Sequence, residues 1–587
     1  MLRIFKYLNK KEILTILAVA ALVVFQVWLE LEIPAFMTGI LTPIYGDGPL
    51  EMNTVLYNGG MMLLCALGSL AGSIMTVFLA TRMAAGYAAK LRKLMFTRVE
   101  SFSAAEINKF STASLITRST NDVTQVQMMV GMGMNLLIRA PVMAAWALIK
   151  ISSNTWQFMA VTASAIMLML MLVVFLIVAV LPKFRKIQTL TDRLNRLTRE
   201  NLTGIRVVRA YNAEDYQENK FEKANAEMTK TQLFTNRSMQ IMMPGLTLIM
   251  SGLTLGITLI GAFLINSTAN IADKVTLATD MQEFTQYAMQ AIMAFLMLVM
   301  VFIIMPRAAV SAKRILEVLD TEPGIVDGAG VKCPRETGTV EFKNVCFKYP
   351  GAEEYVLKDI SFRAERGETV AFIGSTGSGK STLISLIPRF YEATGGEVRV
   401  DGTPVTDYAL EDLNNRLGFI AQKGIIFGGT VRYNTAFGDP GKEITDADIE
   451  KALEAAQAKE FVDALDGRLE AELARGGTNL SGGQQQRLSI ARALAKKPEI
   501  LIFDDSFSAL DYKTDRKLRG RLKTEMDSVT KLIVAQRIGT IRDADKIVVL
   551  DNGEMVGCGK HDELLATCSV YREIAYSQLS KEELDNG

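Results

Sequence analysis

Six long runs of apolar residues, at 13–36, 57–80, 126–149, 151–181, 239–265 and 284–305, constrain this chain more than any other feature. A helix rises about 1.5 Å per residue, so about 20 residues cross the hydrocarbon of a bilayer, and each run reaches that length with few or no charges. Lipid offers a backbone amide no partner, and none of the runs alternates as a strand does, so each reads as a membrane-spanning helix. Lysine and arginine gather on one side of the ladder: in the N-terminus (Lys6, Lys10, Lys11), in 82–118 and in 183–237, whereas the first loop on the other side, around Asp47 and Glu51, has none. That bias puts both termini inside. No small-residue cleavage site follows the first run, which reads as a retained anchor. The two inner segments, about 45 and 57 residues long, exceed what a helix hairpin needs. Lys90, Leu91, Arg92, Leu94 and Met95 mix charge and apolar character as a packed helix does, so the helices are expected to run on well past the bilayer.

Glu30, Glu32 and Arg139 fall within runs and would cost a few kcal/mol each if they faced lipid. They must face partners or a cavity, and pairing inside the bundle is preferred here to contact with a transported substrate. The methionines of the spans (Met128, Met129, Met132, Met134, Met167, Met169, Met171) could form a pliable binding surface, but lipid-facing filler is the simpler reading. A net charge of +1 leaves no electrostatic footprint for nucleic acid. The cysteines (Cys65, Cys333, Cys346, Cys558, Cys568) lack paired metal spacing and read as reduced and structural.

After Met305 the composition turns charged. Residues 1–320 read as a membrane domain, 321–338, with Pro323, Gly324, Gly328 and Gly330, as a linker, and 339–587 as a second domain. In it, Glu368-Thr-Val-Ala-Phe-Ile leads into Gly374-Ser375-Thr376-Gly377-Ser378-Gly379-Lys380-Ser381-Thr382, a buried strand entering a glycine loop and then a helix. Such a loop cradles phosphates: backbone N–H groups close around the β-phosphate, Lys380 reaches the terminal phosphates, and Ser381 offers a hydroxyl to Mg²⁺. Downstream, Ile500-Leu501-Ile502-Phe503-Asp504 is an apolar strand ending in a carboxylate suited to the metal's hydration shell. Between the two, Leu480-Ser481-Gly482-Gly483-Gln484 precedes a helical run, so its glycines open helix-start N–H groups to an anion.

With these motifs the chain resembles the ATP-binding cassette (ABC) exporters over nearly its whole length. The resemblance implies a six-helix membrane bundle of the type IV exporter kind, followed by an α/β P-loop ATPase domain that binds ATP with Mg²⁺ held by Ser381, Asp504 and Gln422. Ser481, Gly482, Gly483 and Gln484 match the family signature, Gln422 in Phe419-Ile-Ala-Gln422 the Q-loop residue, and Ser508-Ala-Leu-Asp511 the D-loop. Tyr349 stands where the family stacks an aromatic ring on adenine; a tyrosine packed on its own domain is the plainer alternative. Thr117 to Asp122 and Val207 to Asn212, with Glu214, resemble the inner-loop segments that carry coupling helices. In the family, the signature of one chain faces ATP held by another, so a partner is implied.

Two positions depart from hydrolysing members. Next to Asp504, where those members carry a glutamate that handles the attacking water, stands Asp505, one methylene shorter and about 1 to 1.5 Å further back. The chain's single histidine, His561, lies beyond the catalytic motifs and reads as structural; the switch position is Gln536, whose amide can donate to a γ-phosphate but cannot titrate. Ala474 replaces a residue that is often acidic in exporters. Together these features resemble the degenerate half of a bacterial heterodimeric multidrug-type exporter. The expectation is a subunit of the cytoplasmic membrane that grips ATP at its own site and completes a hydrolysing site on a second half-transporter, exporting a small amphiphile, lipid or peptide. A self-sufficient homodimer and an ATP-gated channel or regulatory subunit are the alternatives.

Overall fold

The computed structural model describes residues 2–45, 51–152, 156–330, 336–438, 441 and 443–578. It divides into two compact units, Met1–Arg98 with Leu115–Asp320, and Val99–Ser114 with Thr321–Gly587. Asp47, Cys333 and part of the 321–338 linker lie outside the described residues.

Among the described residues of the first unit, six helical stretches are long and apolar enough to cross a membrane: Lys10–Tyr45, Met52–Glu100, Thr112–Ser152, Trp156–Thr203, Glu214–Ser267 and Ile271–Leu319. They follow the six apolar runs in order but overrun them. The 49-residue Met52–Glu100 helix is about 70 Å long, over twice the hydrocarbon thickness. Its extension stays helical because Tyr87, Leu91 and Met95, spaced by four and fully buried, carry an apolar stripe past the lipid-facing part. Nearer the start of the same helix, Leu63, Leu64, Leu67, Leu70, Ile74, Val77 and Phe78 stand exposed, an apolar surface that water would not tolerate and lipid would. The methionines divide: Met167 and Met171 are exposed, whereas Met169 between them is buried in the bundle.

Small residues let the helices approach closely. Ala144, Ala147, Ala288 and Ala291 lie in the bundle core beside Val23, Val27, Phe158 and Phe284. The charged residues pair as expected. Arg139 Nη2 lies 2.7 Å from Glu30 Oε2, and Glu30 Oε1 also accepts from Gln26 Nε2 and Ser69 Oγ. Lys150 Nζ meets Glu32 at 3.4 Å. Arg139→Met alone, which strands Glu30 in the bundle, should cut the yield of monodisperse protein in detergent several-fold; adding Glu30→Gln should recover most of it, both read by gel filtration.

Thr117–Asp122 is helical and joins this packing through Arg118 and Asp122, while Thr117, Thr120 and Asn121 are exposed. Arg118–Asp122 is a π-helical segment bound to the last helix: Ser311 Oγ donates to buried Asp122 at 2.7 Å, and Arg118 Nη1 reaches Glu317 at 2.9 Å. The second inner-loop segment forms a short helix, Ile205–Ala210, before Glu214–Gln240, with Tyr211 exposed between them.

In the second unit, a six-stranded sheet runs in the order Glu554–Gly559, Lys546–Asp551, Thr369–Gly374, Thr530–Val534, Ile500–Asp504, Leu417–Ile420, and all but the first pairing are parallel. Both faces are covered, which is why these strands are nearly continuous apolar runs. Ala371, Leu501, Phe503 and Ile533 feed one core, while Val370, Phe372, Ile500, Ile502 and Leu532 feed the other. A four-stranded sheet, in the order Leu357–Ala364, Val340–Phe347, Gly395–Val400, Thr403–Pro404, packs on the second core. The unit also includes Val99–Ser114, far away in sequence. Ser103 and Glu106 form a capping box that starts the Ala104–Phe110 helix, the buried rings of Phe102 and Phe110 stack at 5.9 Å, and Asn108 Nδ2 donates to Tyr391 OH at 3.3 Å.

Candidate functional site

Parallel strands deliver their C-terminal ends to one edge of a sheet, where binding sites of open α/β sheets form. Here four neighbouring strands do so: Thr369–Gly374 runs into the phosphate loop, Ile500–Asp504 into Asp505, Thr530–Val534 into Ala535 and Gln536, and Leu417–Ile420 into Ala421 and Gln422. The register places Val534 level with both Phe372 and Asp504, so two of the ends are flush and Thr369–Gly374 runs two residues further into the phosphate loop.

The loop's shape needs its glycines. Gly377 (φ +87°) and Gly379 (φ +95°) adopt left-handed backbone, and a Cβ on Gly379 would come within 2.7 Å of Leu357 Cδ2. Lys380 opens the Lys380–Ser385 helix and folds its amine back, donating to Gly374 O at 2.9 Å, Ser375 O at 2.7 Å and Ser378 Oγ at 3.2 Å. Ser375, Thr376 and Gly377 are exposed at the crest, whereas Ser378 is buried. Ser381 Oγ donates to Asp504 Oδ1 at 2.6 Å, joining the helix to the strand end. Thr382 is turned the other way, its hydroxyl bonded to Tyr349 OH at 2.8 Å. Tyr349 is half-buried and sits edge-on to Phe347 and Tyr391.

The centre of the site is Asp505, 6% exposed and at φ +47°, a left-handed conformation that aspartate tolerates better than most residues. One oxygen, Oδ2, accepts from Gln536 Nε2 at 2.8 Å and from Gln422 Nε2 at 3.3 Å. The two departures read from the sequence are thus in direct contact. Burial pushes both neighbouring carboxyls above the usual aspartate range; the Ser381 bond and Lys380 oppose this at Asp504, while at Asp505 the Gln422 bond opposes it and the charge of Asp504 adds to it. Burial pushes the Lys380 amine down, against the pull of Asp505 and Asp504.

A carboxyl whose pKa is raised on folding favours the protonated native state, so its stability contribution falls as pH rises through the window above the ordinary value of 3.8. Asp505→Asn keeps the backbone conformation and an acceptor for the two amides but removes the buried charge. In the absence of nucleotide and metal it should raise the unfolding temperature of the ATPase unit at pH 7 by about 2 to 4 °C. The gain should shrink as pH falls through that window, as scanning fluorimetry can follow.

The signature residues stand apart. Ser481 caps the Gly482–Ala495 helix in a capping box with Gln484: Ser481 Oγ accepts from Gln484 N at 3.3 Å and Gln484 Oε1 from Ser481 N at 2.8 Å. Ser481 and Gly482 are exposed, and among the described residues none of these groups bonds to the phosphate loop. The next side chains fix the helix: Gln485 Nε2 donates to Gly477 O and Leu480 O, and Gln486 Nε2 to Ala421 O beside Gln422. Ala474 N donates to Asn479 Oδ1. Asp511 caps the Tyr512–Glu525 helix, accepting from Thr514 N at 2.9 Å. His561 is buried, with Nδ1 2.7 Å from Tyr571 OH, a structural place. Sequence reading missed the Ala104–Phe110 helix; its signal was the Ser103-Ala-Ala-Glu106 box.

Family models match both parts of the chain: "ABC transporter transmembrane region" over residues 12–289 and "ABC transporter" over residues 357–508. An "Uncharacterized ABC transporter ATP-binding protein" of Mycobacterium tuberculosis is 39% identical over 531 residues, covering 88% of this chain and 87% of that protein. An "ATP-dependent lipid A-core flippase" of Aromatoleum aromaticum is 32% identical over 522 residues, 89% of this chain and 85% of its own length. Among solved structures, that of a bacterial Atm1-family ABC exporter with ATP bound matches in fold with a TM-score of 0.73 at 22% identity, over 97% of this chain and 99% of the other. With 88% of its length shared with a relative of that name, the chain belongs to the ABC transporter family, as a half-transporter that joins a membrane region to an ABC ATPase domain in one polypeptide.

Proposed function

We propose that this chain is the slow-site subunit of a heterodimeric, ATP-driven exporter in a bacterial cytoplasmic membrane. Its own site, built on Gly374 to Thr382, Asp504 and Asp505, with Tyr349 against adenine, grips MgATP and turns it over slowly. Its Ser481, Gly482, Gly483 and Gln484, the first two of them exposed, complete the site of a partner half-transporter that hydrolyses. The lysine and arginine bias supports an inside location for both termini and for the ATPase domain, with 1–320 as membrane domain, 321–338 as linker and 339–587 as ATPase domain.

The observation that carries this reading is the double amide contact at Asp505 Oδ2. A base for water must receive a proton and pass it on. Gln422 and Gln536 can do neither, and they hold the one carboxylate next to Asp504 back against the strand ends. Mg²⁺ suits the donors present, since the Ser381 hydroxyl and Asp504 carboxylate converge as hard oxygen ligands and Mg²⁺ is usually held by one or two such groups together with phosphates. When bound, the ion would neutralise phosphate charge; the chain's part is to hold the nucleotide.

The test is photolabelling of the assembled pair with 8-azido-ATP during turnover, followed by separation of the subunits. Label on this chain should remain largely triphosphate and label on the partner should be largely diphosphate. Diphosphate on this chain at the partner's level would overturn the asymmetry. For cargo, the lipid A-core flippase relatives support an amphiphile with a lipid-like part.

A further inference from the structure

The C-terminal helix Ser569–Gln578 ends on the switch position. Gln578 Nε2 donates to Gln536 O at 2.7 Å, and Gln578 Oε1 accepts from Ile538 N at 2.8 Å. One amide thus satisfies the carbonyl of residue 536 and the N–H of residue 538, the pairing a neighbouring strand would give. Ile538 N can only donate, so the orientation of the Gln578 amide is fixed by its partners. The helix that presents Gln578 is itself well anchored. Tyr571 and Ala575 are fully buried, Tyr571 OH meets His561 Nδ1, and Arg572 donates to Leu565 O and Ala566 O. A continuous set of hydrogen bonds therefore runs from the terminal helix through Gln578 to the backbone at Gln536, and from the Gln536 side chain to Asp505.

We propose that Gln578 is a positioning residue for the nucleotide site: by clamping the backbone on both sides of Arg537 it fixes where the Gln536 amide points, and so sets how long this chain retains ATP. The proposal rests on the reading that Gln536 lies at the nucleotide. Without the clamp, Gln536 and Arg537, exposed between the buried Ala535 and Ile538, have one fewer constraint on φ and ψ, and the amide samples directions away from Asp505 and the phosphate. Glutamate at 578 keeps the acceptor for Ile538 N but loses the donor to Gln536 O and sets two oxygens against each other; alanine loses both bonds. Neither change touches the core, since Gln578 is exposed.

The experiment uses the full-length chain in nanodiscs loaded with a fluorescent ATP analogue and Mg²⁺, and follows release after dilution. Gln578→Glu and Gln578→Ala should each speed release about three- to tenfold, the size expected from losing one net hydrogen bond, with the unfolding temperature unchanged. In a Gln536→Ala background the same changes should have no further effect, which separates a role exerted through the Gln536 side chain from general loosening of the helix. Unchanged release in the first background, or an equal acceleration in both, would overturn the proposal. The slow-site reading fails by a different result, fast hydrolysis by the isolated chain, so the two can be told apart.

Discussion

Ser481→Asp should reduce the ATPase activity of the assembled transporter by about 10²- to 10³-fold, the range seen when one donor facing transition-state charge is lost, whereas Asp505→Ala should change it severalfold at most. Aspartate serves as an N-cap as well as serine does, so the Gly482–Ala495 helix keeps its cap and the Gln484 N–H its acceptor. What changes is the charge on an exposed surface that we assign to the partner's ATP: a carboxylate replaces a hydroxyl opposite phosphate oxygens. Phosphate release from the pair in proteoliposomes measures the loss, and an unchanged melting profile shows that the helix has kept its cap. Equal losses from the two substitutions would remove the basis for unequal sites.

Asp505→Glu combined with Gln536→His should raise the turnover of the isolated chain about a hundredfold, the scale on which a displacement of about 1 Å matters. Asp505→Glu alone should give a modest rise. The reason is the contact between the two side chains at 2.8 Å, with Gln422 on the same oxygen: lengthening the carboxylate leaves it tied to two amides, and only a titratable ring at 536 frees it to exchange a proton. Residues in contact do not act additively, so the pair should exceed the sum of the singles. Full activity from Asp505→Glu alone would show that geometry at 536 is irrelevant.

Much of this was legible in the sequence because it was local. A run long enough to span a bilayer declares itself whatever it packs against, and the Gly374–Thr382 loop contains within nine residues the turns and the lysine that define it. The extension of the helices was legible in the mixed charge and apolar character of Lys90 to Met95; the face of the Met52–Glu100 helix that is buried, at Tyr87, Leu91 and Met95, is set by packing. Thr117-Arg-Ser-Thr-Asn-Asp122 is polar throughout, and its resemblance to an inner-loop segment does not say which of its residues is buried. Its Asp122 is buried all the same, because Ser311, 189 residues later, supplies a donor. The contacts of Gln536 with Asp505, side chain to side chain, and with Gln578, whose side chain reaches the Gln536 carbonyl, join positions 31 and 42 residues apart, and no periodicity encodes them.

The grouping of Val99–Ser114 with Thr321–Gly587 bears on how this machine can be taken apart. A soluble fragment begun at residue 321 would carry Tyr391 without Asn108 and would lack the stacked pair of Phe102 and Phe110. Its purified behaviour would describe a damaged body. A fusion that returns these sixteen residues through a short tether would be the smaller piece that preserves the native arrangement.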